Sequence, residues 1–183
     1  MSVLPGAPRL LTVVEYLALG EPESGYTELV EGRVVASPSA SRRHNRACFE
    51  AAVQLRAQVP PHLEVLMDTD VDLQLAPADA PGFVRRPDIV VAHRGTDLLT
   101  ARDVVLVVEF VSPGSVRTDN IVKRGEYADA GIMHYWIVDV TEPVSLLACH
   151  LAGSFGYVDS GAVTGVFEAG APFAARIDLD ALR

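Results

Sequence analysis

The chain has 183 residues, 49% of them hydrophobic and 21% charged, with a formal net charge of −9. That length suits one domain, or one domain with an extension, and can bury a core without disulfide staples. The composition is globular, no apolar run approaches membrane-spanning length, and the acidity argues against tight, metal-free binding to a polyanion.

The opening Met-Ser-Val-Leu-Pro-Gly-Ala-Pro-Arg carries Pro and Gly where the apolar stretch of a leader would lie, so no secretory leader is expected. Residues 12–19 predict a short helix capped by Thr12 and stopped by Gly20. Two strands follow, Tyr26-Thr-Glu-Leu-Val and Arg33-Val-Val-Ala, joined at Glu31-Gly32. Ser41 is placed to cap a long helix reaching about Gln58, with Ala47, Ala51, Leu55 and Val59 at helical spacing. Strands are predicted at 63–67 and 70–75, and a Pro/Ala/Gly loop at 76–82 leads toward Asp88-Ile-Val-Val-Ala. Residues 104–111 are almost all Val and Leu, as expected of a strand covered on both faces. A helix is predicted from about Thr118 to Ala130, then strands at 134–139 and 144–149, a Gly-rich tail, and a last helical turn at 178–182. This order predicts an α/β domain with a mixed sheet. Cys48 and Cys149 show no metal spacing and are expected to be reduced core thiols in a cytoplasmic protein.

Glu109 interrupts the apolar strand. Alternation places it with Val105, Val107 and Val111 on one face, opposite Val104, Leu106, Val108 and Phe110. A carboxylate there must turn to water, pair with a cation or bind a metal. Asp88 stands where loop becomes sheet, after Arg85-Arg86-Pro87. If the two strands are neighbours, the acids converge as hard oxygen donors for a divalent cation. Lys123 is the single lysine against fourteen arginines. On an α-helix it shares a face with Asp119 and Tyr127, where its ammonium is either half of a surface ion pair or a donor to a phosphoryl oxygen. Arginines gather at Arg42, Arg43 and Arg46, at Arg85 and Arg86, and at Arg117 and Arg124 around Lys123.

With Pro87-Asp88 and Glu109 in place, the chain resembles the PD-(D/E)XK nucleases, the restriction-endonuclease-like fold. It is most similar to a family of restriction-endonuclease-like proteins once classed as a domain of unknown function. The matching pieces are Tyr26-Thr-Glu28-Leu-Val-Glu-Gly32, Pro87-Asp88, Glu109-Phe-Val-Ser112-Pro113, Asp119 to Lys123, Tyr127-Ala, Gly131-Ile and Tyr135-Trp-Ile-Val-Asp139, in order over roughly residues 10 to 150. The superfamily lysine two residues after the Glu is Val111 here, and Lys123 on the next helix fits its replacement; Gly114 and His134 also depart from the family pattern.

The resemblance implies a mixed β-sheet flanked by helices, with an N-terminal helix and hairpin, a core at about 24–150 and a C-terminal β extension at 151–183. It further implies a metal-dependent endonuclease hydrolysing DNA. Asp88 and Glu109 would hold Mg²⁺ or Mn²⁺, with the Phe110 carbonyl as a further ligand, and Lys123 would be the third catalytic residue. Glu28, Asp119 and Tyr127 would support the site, while His44, Arg42, Arg43 and Arg86 would contact phosphate. A homodimer is expected by analogy with duplex cutters, with the Gly-rich tail as either an interface or a cap on the sheet. Two alternatives stand beside this reading: a catalytically silent interaction module of the same fold, and a carbonyl enzyme using Lys123 as a Schiff-base amine.

Overall fold

The computed structural model describes residues 9–20, 22, 25–37, 40–95, 98–111 and 118–183. Thr12 opens helix α1 (Val13–Leu17) with a reciprocal cap: its hydroxyl accepts from the Glu15 N–H, and the Glu15 carboxylate accepts from the Thr12 N–H. The helix ends at Leu17 rather than Leu19. Strands β1 (Tyr26–Val30) and β2 (Arg33–Ser37) form the predicted hairpin. Glu31 and Gly32 both take positive φ, 50° and 74°, as a two-residue type I′ turn requires. Helix α2 (Arg42–Arg56) starts at Ser41, whose hydroxyl accepts from the His44 N–H. Its buried stripe of Ala47, Cys48, Ala51, Ala52 and Leu55 is made mostly of small side chains, which lets the helix lie close to the sheet.

The strands that follow are β3 (Leu63–Met67), β4 (Val71–Asp72), β5 (Val84–Arg85), β6 (Ile89–His93), β7 (Leu99–Thr100), β8 (Val104–Val111), β9 (His134–Asp139) and β10 (Ser145–Leu151). A main sheet runs β3, β6, β8, β9, β10, with β8 and β9 parallel and the other neighbours antiparallel. A second sheet runs β2, β1, β5, β4, β7. The predicted strand at 70–75 is cut to two residues, because Gln74 turns to a φ of 53°. Strands β5 and β7 escape sequence reasoning, since each is too short for alternation to show.

The helix between β8 and β9 begins with a π-helical segment, Thr118–Lys123, and becomes regular α3 at Arg124–Asp129. Of the predicted face, Lys123 and Tyr127 stand four residues apart, at the junction of the π segment with α3 and within α3. The Asp119 side chain, Ser112, Pro113, Gly114 and Arg117 lie outside what the structure describes.

One face of the main sheet packs on α2, with Leu106, Val108, Phe110, Trp136 and Val138 in that core. The other face meets α3 and the small sheet through Val107, Val111, Tyr127, Ile132 and Tyr135. Strand β8 departs from simple alternation. Val91 pairs with Leu106 but Ala92 with Val104, so Val105 is the extra residue of a bulge. As a result Val104 joins the Val107 side and Val105 packs on the α2 side, reversing the predicted faces at that end.

The tail forms β11 (Tyr157–Asp159), β12 (Val163–Thr164), β13 (Val166–Ala169) and β14 (Ala175–Asp178). Strands β11 and β12 extend the main sheet beside β10, while β13 and β14 pair with each other. Phe173, Ala175, Ile177, Leu179 and Leu182 enter the α2-side core, so this segment caps the sheet. Among the described residues, no helix is long and apolar enough to cross a membrane.

Candidate active site at the end of strand β8

Ile89 pairs with Val108 across the antiparallel β6–β8 ladder. Asp88 directly precedes Ile89 and Glu109 directly follows Val108, so both acids flank the last paired position of that ladder. The Asp88 carboxylate is tied to the partner strand: Oδ2 accepts from the Phe110 N–H at 2.7 Å. Its other oxygen, Oδ1, lies 3.0 Å from His44 Nε2, so α2 reaches the strand end as well.

Glu109 is buried, and its Oε1 accepts from Lys123 Nζ at 2.8 Å and from the Tyr127 hydroxyl at 2.9 Å. The remaining residues converge from the small sheet. Glu28 on β1 is 4% exposed; its Oε2 accepts from Arg85 at 2.7 Å, and its Oε1 accepts from the Arg86 N–H and lies 3.4 Å from Lys123 Nζ. Arg85 in turn donates to both oxygens of Glu126 on α3, at 2.6 and 2.8 Å. Lys123 is thus held between two buried carboxylates, and Arg85 joins the small sheet to α3. Among the described residues, no buried side-chain nitrogen or oxygen lacks a hydrogen bond, which is what makes such a polar cluster tolerable in low dielectric.

The electrostatics follow from this arrangement. Burial pushes the Glu28 carboxyl up, but the charges of Lys123 and Arg85 outweigh it and hold the group below its ordinary value. Burial, then the Glu109 charge, raises the Tyr127 phenol well above its usual range, so Tyr127 is a hydroxyl donor at any working pH. Asp68, missed in the sequence, joins the rim; burial and the Asp88 charge raise its carboxyl. Cys48, on α2 one turn after His44, also faces this region, and burial, then Asp88, Asp68 and Glu109, keep its thiol protonated. Two cations, Arg85 and Lys123, face Glu28, Glu109 and Glu126, and Asp88 and Asp68 add to the negative excess. Paired hard-oxygen donors in a field of that sign fit Mg²⁺ or Mn²⁺.

The other expected residues divide by environment. Arg86 is engaged by Asp70 at 2.8 Å and sits over the Tyr26 ring. Arg42, Arg43 and Arg46 remain exposed at the N-terminal end of α2, where with Asn45 and Arg183 they line a surface depression. Arg43 also reaches Glu142 at 3.3 Å. Sequence reasoning grouped Arg85 with Arg86 and missed it as the organiser of the cluster, whereas Glu28, expected to support the site, lies beside Arg85 and Lys123. Alternation gives the signal for Glu28: its neighbour Leu29 is buried on the other face, so a strand between two layers buries both.

A protein-family model described as "Uma2: Putative restriction endonuclease" matches residues 13–158 of the chain. A solved structure, a "putative nuclease belonging to DUF820" from Anabaena variabilis, aligns with a TM-score of 0.69 at 16% sequence identity, covering 94% of this chain and 97% of that one. Likeness at that identity speaks to the fold. No curated protein matches the chain.

Proposed function

Since the chain belongs to the Uma2 family and has a restriction-endonuclease-like fold, we propose that it is a divalent-metal-dependent endonuclease that hydrolyses DNA phosphodiester bonds. The observation that supports this reading is that Asp88 accepts from the N–H of Phe110, the residue after Glu109, while Glu109 accepts from Lys123.

In this reading the Asp88 and Glu109 carboxylates hold Mg²⁺ or Mn²⁺, and the ion supplies Lewis acidity toward the phosphate and the attacking water. Lys123 holds its ammonium beside Glu109 and offers N–H donors to charge that develops on phosphoryl oxygen. Tyr127 donates to Glu109 and Glu28 lies 3.4 Å from Lys123 Nζ, so both groups are held in place before substrate arrives. Arg42, Arg43 and Arg46 supply local positive charge for the DNA backbone on a chain whose total charge is negative. A second copy of the chain provides the second cut of a duplex.

The test is nicking of supercoiled plasmid with Mg²⁺ or Mn²⁺. Cleavage is expected for the native chain and loss of at least about 100-fold for Glu109→Gln, in line with removal of an electrostatic group from a reaction centre. Equal activity in that variant overturns the assignment. The second reading is a silent interaction module, favoured by the Lys123 and Tyr127 hydrogen bonds that engage Glu109 Oε1; it predicts no Mn²⁺ heat in calorimetric titration at millimolar concentration.

A further inference from the structure

The carboxylate–lysine network leaves two donors on α2 without a role. His44 and Cys48 stand one helical turn apart on α2 and so project from the same face. Asp88 approaches them from the start of β6. One ligand atom from each of the three lies within 4.8 Å of the other two. Cys48 is 3% exposed, while the His44 and Asp88 side chains are each 14% exposed, so the trio is sheltered but open on one side. The Phe110 ring packs against His44 with centroids 6.0 Å apart and supplies an apolar wall.

The donor set is the informative part. Two carboxylates suit a hard cation that keeps its waters. A nitrogen, a sulfur and an oxygen suit a borderline-soft one, and three protein ligands with an open fourth position are a familiar zinc arrangement. Tetrahedral bonds of about 2.0–2.3 Å place donor atoms roughly 3.3–3.7 Å apart. His44 and Asp88 are already at 3.0 Å, so closing the trio takes a modest swing of side chains on a fixed backbone.

We propose that His44, Cys48 and Asp88 form a binding site for a borderline-soft divalent cation, Zn²⁺ above all, separate in donor chemistry from the Asp88–Glu109 pair. On binding, the Cys48 thiol gives its proton to solvent and a sulfur–metal bond forms; no redox change is involved. Because Asp88 belongs to both sets, Zn²⁺ in the trio removes that carboxylate from the hard-cation pair. This last consequence, inhibition by Zn²⁺, rests on the nuclease reading, whereas the binding itself does not.

The experiment is optical titration of the full chain with Co²⁺ as a spectroscopic stand-in for Zn²⁺. A thiolate-to-cobalt charge-transfer band is expected, saturating at one equivalent and bleached by added Zn²⁺. Cys48→Ala should abolish the band, and His44→Ala should weaken Zn²⁺ binding by more than the about 10–100-fold typical of outer-shell changes. Glu109→Gln should retain the band. No band on the native chain at saturating Co²⁺ overturns the proposal, and so does a band that survives Cys48→Ala. If Cys48→Ala does not fold, the His44→Ala affinity decides, with unchanged binding counting against the site. Failure of the nuclease reading shows separately, as absence of plasmid nicking with Mg²⁺ while the cobalt band persists.

Discussion

Lys123 Nζ donates to Glu109 Oε1 across 2.8 Å, from the junction of a π-helical turn and α3 to the far end of a buried strand. The same ammonium lies 3.4 Å from Glu28, so one cation serves two buried carboxylates from different sheets. Removing one partner of such a group strands the others without compensating charge.

Lys123→Met should therefore destabilise the fold by about 3–5 kcal/mol, read as a fall in the denaturant midpoint at unchanged slope. Lys123→Arg keeps the charge but places a planar, forked group in a slot shaped for a point charge. It should recover part of the stability and little of the nicking activity. Full activity in the arginine variant would show that the ammonium has no specific role.

Glu28 links stability to pH. Its folded-state carboxyl is held below its ordinary value by Lys123 and Arg85 against the effect of burial. A depressed carboxyl contributes stability that is fully present above the unfolded value of about 4.3 and is lost as pH falls through the folded value. Glu28→Gln should be less stable than the native chain at pH 7, and the gap should shrink as pH drops below about 4.3. Thermal melts across that range check the sign; a gap that widens in acid contradicts it.

Charge reversal of Arg42 and Arg46 should weaken DNA binding without changing the melting temperature, since both side chains are exposed on α2. If each arginine contacts one phosphate, the slope of log affinity against log salt should become less steep by about 0.9 per residue removed. Binding isotherms at several salt concentrations, with Ca²⁺ in place of a catalytic ion, measure this directly.

Gln54 and Gln58 act as a short strand edge on α2. Gln58 pairs with both backbone groups of Arg176, at 2.9 and 2.8 Å, and Gln54 with both of Asp178, at 3.2 and 2.8 Å. Gln54→Leu should leave that part-buried N–H and C=O without partners and cost about 1–3 kcal/mol. Amide exchange at Asp178 should speed up in the variant, and an unchanged rate would mean that β14 is held by its apolar side alone.

Gly82→Ala probes a close approach. A Cβ there would meet Val13 Cγ2 at 2.5 Å and the Val13 backbone nitrogen at 2.9 Å. The substitution should push α1 off the hairpin and cost about 1–3 kcal/mol, and the Tyr16–Thr27 hydrogen bond of 2.6 Å should be the first to break. Glu109-dependent activity should survive if α1 only supports the hairpin.

Local sequence determined the elements whose signals are local. Caps at Thr12 and Ser41, the paired positive φ of Glu31 and Gly32, and the apolar run at 104–111 each follow from the chemistry of a few neighbouring residues. The anomaly of Glu109 in that run and the solitary Lys123 were equally visible, because a charge among apolar residues stands out before anything is known of its surroundings. Tertiary structure decided what those charges meet. Arg85 and Glu28 are 57 residues apart, and only the pairing of β1 with β5 brings them together. The bulge at Val105 arises from strand register, which no single strand encodes. Cys48 becomes a candidate ligand only because α2 crosses the strand end at Asp88. Hydrophobic spacing says which face of an element is buried; which polar group waits on the other side depends on loop closure and packing between segments far apart in the chain.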